Sequence, residues 1–183
     1  EKCAVERRAY PPGQHGQNAG RGRKTSEYAK QLREKQKVKR MYGLTETQFR
    51  TIYTRASHLP GVKGTNLLVA LETRLDNIVY RMGFASSRRA ARQLVRHGHV
   101  EVNGRKLDIP SYKVLPGQEV RVAPADRELL AVKVAQDAAS RGAMVSWLSV
   151  DAEKAAGRLL ELPTRDAIPV NATEQLIVEL YSK

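Results

Sequence analysis

The residues best suited to chemistry lie between Ser86 and Gly104. Four arginines, Arg88, Arg89, Arg92 and Arg96, fall within nine positions with no acid among them. On a helix capped at Ser86 or Ser87, Ala91, Leu94 and Val95 turn toward a preceding helix, and the arginines fan across the exposed side. Arg88, Arg92 and Arg96 repeat every four residues and form one ridge. Like charges this close repel one another, a cost that an anionic partner removes. Phosphate suits the role because the guanidinium fork pairs with its oxygens in bidentate fashion. The free N–H groups of a helix N-terminus add to the attraction. Past Gly98 the period changes to two: Val100 and Val102 alternate with His99, Glu101 and Asn103. Asn103-Gly104 then reads as a tight hairpin turn, since both residues tolerate positive φ.

Other chemistries find less support. His97 and His99 flank Gly98, are expected to point to opposite sides, and lack a cysteine or carboxylate at metal-ligand spacing, so they read as polar groups facing nucleic acid. Asp76, among Arg74, Asn77 and Arg81, reads as an ion-pair partner that orients arginines toward phosphate. The run from Gly61 to Thr65 lacks the spacing and the preceding strand of a phosphate loop. No Gly-x-Ser-x-Gly elbow and no dinucleotide fingerprint occurs, so the expectation is a protein without catalytic residues. Cys3 is the one cysteine, which forbids an intrachain disulfide, and a structural zinc site needs four ligands. No cofactor and no complete metal site is expected in these residues.

The bulk charge agrees with the local signal. The 183 residues carry 32 Lys and Arg against 19 Asp and Glu, a formal net charge of +13, and such a field draws polyanions. Hydrophobic residues make up 41%, enough for a true core. No apolar run approaches the roughly 18 residues of a membrane span, so no membrane partner is expected.

The elements that must position the arginines follow from caps, stops and periodicity. Residues 1–25 read as a basic arm: Tyr10 to Gln17 is too rich in proline and glycine for helix, and Arg21-Gly22-Arg23-Lys24 is a flexible cationic run. Ser26 caps a helix stopped by Gly43, with Tyr28, Leu32, Val38 and Tyr42 inward and Lys30, Arg33, Lys37 and Arg40 away from them. Thr45 and Gln48 form a capping box for a second helix whose inner face is Phe49, Ile52, Tyr53 and Ala56. A third stretch runs from near Thr65 to Gly83 with a break near Arg74. Strands are expected at 111–115, 119–122, 145–150 and 158–162, a helix from Asp126 to Arg141, and a terminal helix over 171–181 with Leu176, Ile177 and Leu180 inward.

Ser87, Arg88, Ala91, Leu94, Val95, Gly98, Val100, Val102, Asn103 and Gly104 match the signature of the RNA-binding module named after ribosomal protein S-four. That module occurs in several kinds of protein, including tRNA synthetases and pseudouridine synthases. The runs Pro11–Gly16, Tyr28–Lys37, Arg74–Phe84 and Val178–Lys183 extend the likeness, and the whole chain resembles the bacterial small-subunit ribosomal S-four family.

The resemblance implies an α+β fold: a helical domain with an inserted RNA-binding module of two helices and a small antiparallel sheet. On this chain it implies an arm over 1–25, a helical domain from 26–66 plus 164–183, and the module over 67–163. It implies a structural constituent of the small (30S) subunit that binds 16S ribosomal RNA directly and early in assembly and contributes to decoding fidelity. The implied partners are ribosomal proteins S-five and S-three and mRNA near the channel by which it enters, in the cytoplasm, with no homo-oligomer in the functional state. In many relatives the cysteine matching Cys3 is the last of four zinc ligands, so zinc is expected only in a longer chain. The RNA-binding set expected from charge, motif and resemblance is Arg7, Arg8, Tyr10, Gln14, His15, Arg21, Arg23, Lys24, Lys30, Arg33, Lys37, Arg40, Arg74, Arg81, Ser87, Arg88, Arg89, Arg92, Gln93, Arg96, His97, Asn103, Arg105 and Lys106. Two other readings remain at this point: a modification or quality-control factor that docks on the ribosome transiently, and a basic DNA-binding protein.

Overall fold

A computed structural model describes residues 4–10, 12–18, 26–139 and 145–182. Cys3, Pro11, Arg21, Arg23 and Lys24 lie outside the described residues. Within the arm, α1 (Ala4–Arg7) is a single helical turn. The stretch after Pro12 folds into successive turns, with Gly16 N donating to Gly13 O at 3.0 Å.

Capping sets the helices of the first half. Ser26 Oγ accepts from Ala29 N and opens α2 (Glu27–Met41). Thr45 and Gln48 make the expected reciprocal capping box of α3 (Glu46–Ser57), which buries Phe49, Tyr53 and Ala56. The inner face of α2 differs from expectation. Tyr28 is 57% exposed, and the buried stripe is Gln31, Lys35, Val38 and Tyr42. Two of those four are polar because α2 packs on polar groups. Gln31 Nε2 donates to Glu179 Oε2 at 2.9 Å, and Lys35 Nζ lies 2.5 Å from Glu46 Oε1. A hydrophobic pattern alone cannot reveal such a face.

The long third stretch is two helices, α4 (Lys63–Glu72) and α5 (Leu75–Arg81), with the break at Arg74 as expected. The segment expected as a strand over 111–115 explains the break. It makes only one bridge, Arg74 with Lys113, and joins no sheet. Carbonyls in it and just before it instead accept from the free N–H groups at the start of α5: Leu75 N donates to Tyr112 O at 2.9 Å and Asp76 N to Pro110 O at 3.2 Å.

Ser87 rather than Ser86 caps α6 (Arg88–Arg96). A five-stranded antiparallel sheet follows in the order β2-β1-β3-β5-β4: β1 (Val100–Val102), β2 (Arg105–Lys106), β3 (Glu119–Val122), β4 (Leu148–Asp151) and β5 (Ala156–Leu159). Asn103 and Gly104 turn between β1 and β2 with φ of 49° and 77°, as expected. β5 starts two residues before the expected strand, because Ala156 and Gly157 pair with β3 and β4 alike. β4 begins at Leu148, after a turn through Ser146 and Trp147. Pro124–Asp126 form a short 3-10 turn, so α7 (Leu130–Ala139) starts later than expected, and its expected end at Arg141 lies outside the described residues. α8 (Glu174–Tyr181) closes the chain and buries Ile177, with Leu176 and Leu180 half-buried.

The fold is therefore α+β, and its apolar residues gather in two cores. One joins Val38, Phe49 and Leu67 to Ile168 and Ile177, so the C-terminal tail returns to the first helices. The other joins Leu75, Ile78 and Val95 to Val120, Trp147 and Leu159, so α5 and α6 cover one face of the sheet. α4 belongs to the first core and α5 to the second, which places the Arg74 break at the junction.

Candidate nucleic-acid interface

Two fully or nearly buried acids occupy that junction: Glu72 at the end of α4, 0% exposed, and Asp76 in the first turn of α5, 4% exposed. An isolated buried carboxylate is costly, and each of these is compensated by several donors. Glu72 accepts from Tyr42 Oη at 2.6 Å, Asn77 Nδ2 at 2.7 Å, and Arg81 through Nε at 2.9 Å and Nη2 at 2.6 Å. Burial alone would raise the Glu72 carboxyl, but the hydrogen bonds and charge of Arg81, with Tyr42 and Asn77, hold it below its ordinary value. The same contact raises Tyr42, first through burial and then through the adjacent Glu72 charge.

Asp76 holds two arginines from different elements. Arg74 donates to it from Nε at 3.0 Å and Nη2 at 2.8 Å, and Arg92 on α6 from Nε at 3.1 Å and Nη2 at 2.8 Å. Arg92 also donates from Nη1 to Gly43 O at 2.7 Å, in the turn between α2 and α3. Arg88 Nε donates to Asn77 Oδ1 at 2.7 Å, and its guanidinium carbon lies 4.7 Å from the ring centres of both Tyr42 and Tyr80. The ridge is therefore split. Arg88 and Arg92 turn inward onto groups from α4 and α5, while Arg89 and Arg96 face solvent. The expectation that all four fan outward fails because the neutralising acids come from outside the helix, beyond the window in which the arginines repel one another.

Arg88 Nη2 also lies 4.0 Å from Glu72 Oε1, so four arginines share two carboxylates here and the network stays cationic. Above it lies a cleft of about 470 Å³ lined by Arg40, Tyr42, Gly43, Leu44, Arg88, Arg89 and Arg92. Arg40 ends the exposed stripe Lys30, Arg33, Lys37 and Arg40 on α2, so that stripe runs into the cleft. Lys30 and Lys37 pair with Glu27 and Glu34 on their own helix. Among the described residues Arg33, Arg40, Arg89 and Arg96 make no ion pair.

The remaining residues of the expected set are more dispersed. Arg7, Arg8, Tyr10, Gln14 and His15 are exposed on the arm, and Gln93 and His97 on α6 and its end. Arg105 and Lys106 are exposed on the edge strand β2. Ser87 caps α6, and Asn103 Oδ1 accepts from Glu119 N at 2.9 Å, so both have structural duties. Arg74 and Arg81 are held by the acids. The two histidine rings do not diverge: their centres are 6.1 Å apart, and His99 Nδ1 lies 2.9 Å from Asp126 Oδ2. Sequence reasoning missed Glu72 and the ring pair Tyr42 and Tyr80. The available signal was an acid directly after the apolar run Leu67, Leu68, Leu71. Among the described residues no group of three or more His, Cys, Asp or Glu is placed to hold a metal ion, and no helix is long and apolar enough to cross a membrane.

Comparison with known proteins adds to this geometry. Residues 1–72 match the family described as "Ribosomal protein S4/S9 N-terminal domain" and residues 73–120 the "S4 domain" family. The chain is 52% identical over 182 residues to "Small ribosomal subunit protein uS4" of Thermus thermophilus, covering 100% of this chain and 86% of the relative. It is 53% identical over 183 residues to the protein of that name from Thermodesulfovibrio yellowstonii, and 55% identical over 184 residues to "Small ribosomal subunit protein uS4A" of Myxococcus xanthus. Both of these alignments also span 100% of this chain and 86% of the relative.

Proposed function

Because this chain belongs to the family of small ribosomal subunit protein uS4, we propose that it binds 16S ribosomal RNA directly, with the arginine cleft between α6 and the α2–α3 turn as the centre of the contact. The chain is a structural ribosomal protein and not an enzyme. The observation that carries the RNA-binding reading is the convergence of Arg40, Arg88, Arg89 and Arg92 on one cleft at the end of a cationic helix stripe.

The chemistry suits folded RNA. Guanidinium groups contact phosphates and 2′-hydroxyls and read shape rather than base sequence. Displaced counterions supply much of the free energy, so binding weakens steeply with salt. In this reading the protein docks early on a multi-helix junction of the 16S 5′ domain, beside proteins S-five and S-three. The arm, with Arg21, Arg23 and Lys24, reaches toward mRNA where it enters the subunit. It acts in the cytoplasm as one copy per small subunit and contributes there to decoding fidelity.

Filter binding to a 5′-domain transcript across a salt series tests the contact. Replacing Arg89 and Arg96 together by Ala removes two exposed cations and lowers the slope of log K against log salt by roughly 1.5 to 2. An unchanged slope refutes the assignment. Equal competition by duplex DNA would favour a general DNA binder instead. Substoichiometric recovery from salt-washed small subunits would favour a transient factor.

A further inference from the structure

We propose that Arg92 is a positioning residue that does not itself contact RNA: it clamps the α2–α3 turn against α6 and thereby sets the spacing between the phosphate-binding side chains Arg40 and Arg89. The proposal rests on the RNA-binding reading of the cleft and goes beyond it by dividing the cleft's arginines into two kinds.

The division follows from how each guanidinium is held. A guanidinium has five N–H donors: one on Nε and two on each Nη. Arg92 Nε and Nη2 are both committed to Asp76, at 3.1 and 2.8 Å, and Nη1 to Gly43 O at 2.7 Å. Three of the five donors, one on each nitrogen, are thus engaged by the protein, and the pairing with Asp76 offsets the charge. The carboxylate that holds it is 4% exposed and is itself fixed by Arg74, so Arg92 cannot turn to a phosphate without leaving Asp76 with Arg74 alone. Arg89 and Arg40 differ: both are exposed, line the same cleft, and make no ion pair among the described residues. Arg40 sits at the end of α2 and Arg89 at the start of α6, on elements packed in different cores. The bond from Arg92 Nη1 to Gly43 O joins α6 to the turn immediately after Arg40's helix. A phosphate gripped by both Arg40 and Arg89 therefore requires the geometry that this bond maintains.

The carbonyl acceptor makes charge insufficient. A lysine at position 92 keeps the positive charge but cannot present a planar fork to Asp76 and a third nitrogen to Gly43 O together. The test is the 5′-domain binding assay over a salt series with Arg89→Ala, Arg92→Ala and Arg92→Lys, each checked by circular dichroism for a native thermal transition. Under the proposal Arg89→Ala lowers the salt slope by about 0.9, one phosphate contact. Arg92→Ala and Arg92→Lys each lower affinity about tenfold, the scale of one lost charge-assisted bond, and leave the slope unchanged.

An independent readout holds even if Arg92→Ala is unstable. Spin labels at Thr54→Cys on α3 and Ser149→Cys on β4, in a Cys3→Ser background, report the separation of the two cores. That distance distribution broadens in Arg92→Lys and not in Arg89→Ala. Restoration of affinity by Arg92→Lys, together with a flattened slope in Arg92→Ala, makes Arg92 a direct phosphate ligand and overturns the proposal while the cleft reading stands. Unchanged binding in all three variants overturns both.

Discussion

Replacing Glu72 by Gln tests the buried network most directly, because it removes one charge and almost no volume. The carboxylate accepts four hydrogen bonds, two on each oxygen: Oε1 takes Tyr42 Oη and Arg81 Nη2, and Oε2 takes Asn77 Nδ2 and Arg81 Nε. An amide there turns an NH2 group toward at least one donor in either orientation, so a buried N–H is left facing another donor. The larger loss is the charge opposite Arg81. Removing one partner of a buried ion pair costs about 3–5 kcal/mol. Arg81 keeps 13% of its side-chain surface in water, so the lower end applies, about 3 kcal/mol. Against a total stability of roughly 5–15 kcal/mol this is a large fraction, and at about 2–4 °C per kcal/mol it lowers Tm by roughly 6–12 °C.

Urea unfolding followed by circular dichroism at pH 7 measures the difference, and the pH dependence gives a second handle. The Glu72 carboxyl is held below its ordinary value of 4.5, so its stabilisation is complete above that value and is lost as the pH falls through the lower folded value. The gap between wild type and Glu72→Gln therefore closes in acid. A shift of the urea midpoint worth less than about 0.5 kcal/mol at pH 7, the scale of an ordinary surface substitution, would falsify the claim that this carboxylate is essential to the junction. So would a gap that widens on acidification.

Two further substitutions probe the elements that carry the site. A Cβ at Gly157 would lie 2.7 Å from Ser149 O and 2.8 Å from Met82 Cε, so Gly157→Ala is expected to push β5 from β4 and cost about 1–3 kcal/mol in urea unfolding. Ser87→Ala removes the bond from Ala90 N to Ser87 Oγ at 3.2 Å and costs about 1 kcal/mol, read as a lower thermal midpoint, without the change of salt slope expected of Arg89→Ala.

What could be read from the sequence was local. The capping box at Thr45 and Gln48, the Asn103-Gly104 turn and the break at Arg74 each depend on residues within a few positions, and each is present in the structure. Of the inner face of α2, Val38 and Tyr42 were legible and its polar half was not, because Gln31 is satisfied by Glu179, 148 residues away. Neither was the fate of the segment over 111–115, whose alternation suits a strand but whose Tyr112 carbonyl caps α5. The arginine ridge failed in the same manner. Within α6 nothing neutralises Arg88 and Arg92, and only the fold brings Glu72 and Asp76 beneath them.

Placing the acids beneath the arginines rather than beside them has an electrostatic consequence. At an effective dielectric constant near 20, a phosphate about 4 Å from a guanidinium gains roughly 4 kcal/mol, and a carboxylate about 8 Å away on the far side takes back roughly 2 kcal/mol. A surface acid at the same distance as the arginine would cancel the attraction outright. The buried acids therefore leave the outward field positive. They also fix side chains whose immobilisation on binding would otherwise cost up to about 2 kcal/mol each. The attraction given up and the ordering cost avoided are of similar size, so the clamped arginines act on geometry more than on affinity. Arg40, Arg89 and Arg96, which make no ion pair among the described residues, retain their full Coulombic attraction for phosphate. On this account the exposed and the clamped arginines differ in what salt does to their substitution: ionic strength erodes the effect of removing Arg89, and leaves that of removing Arg92 nearly constant.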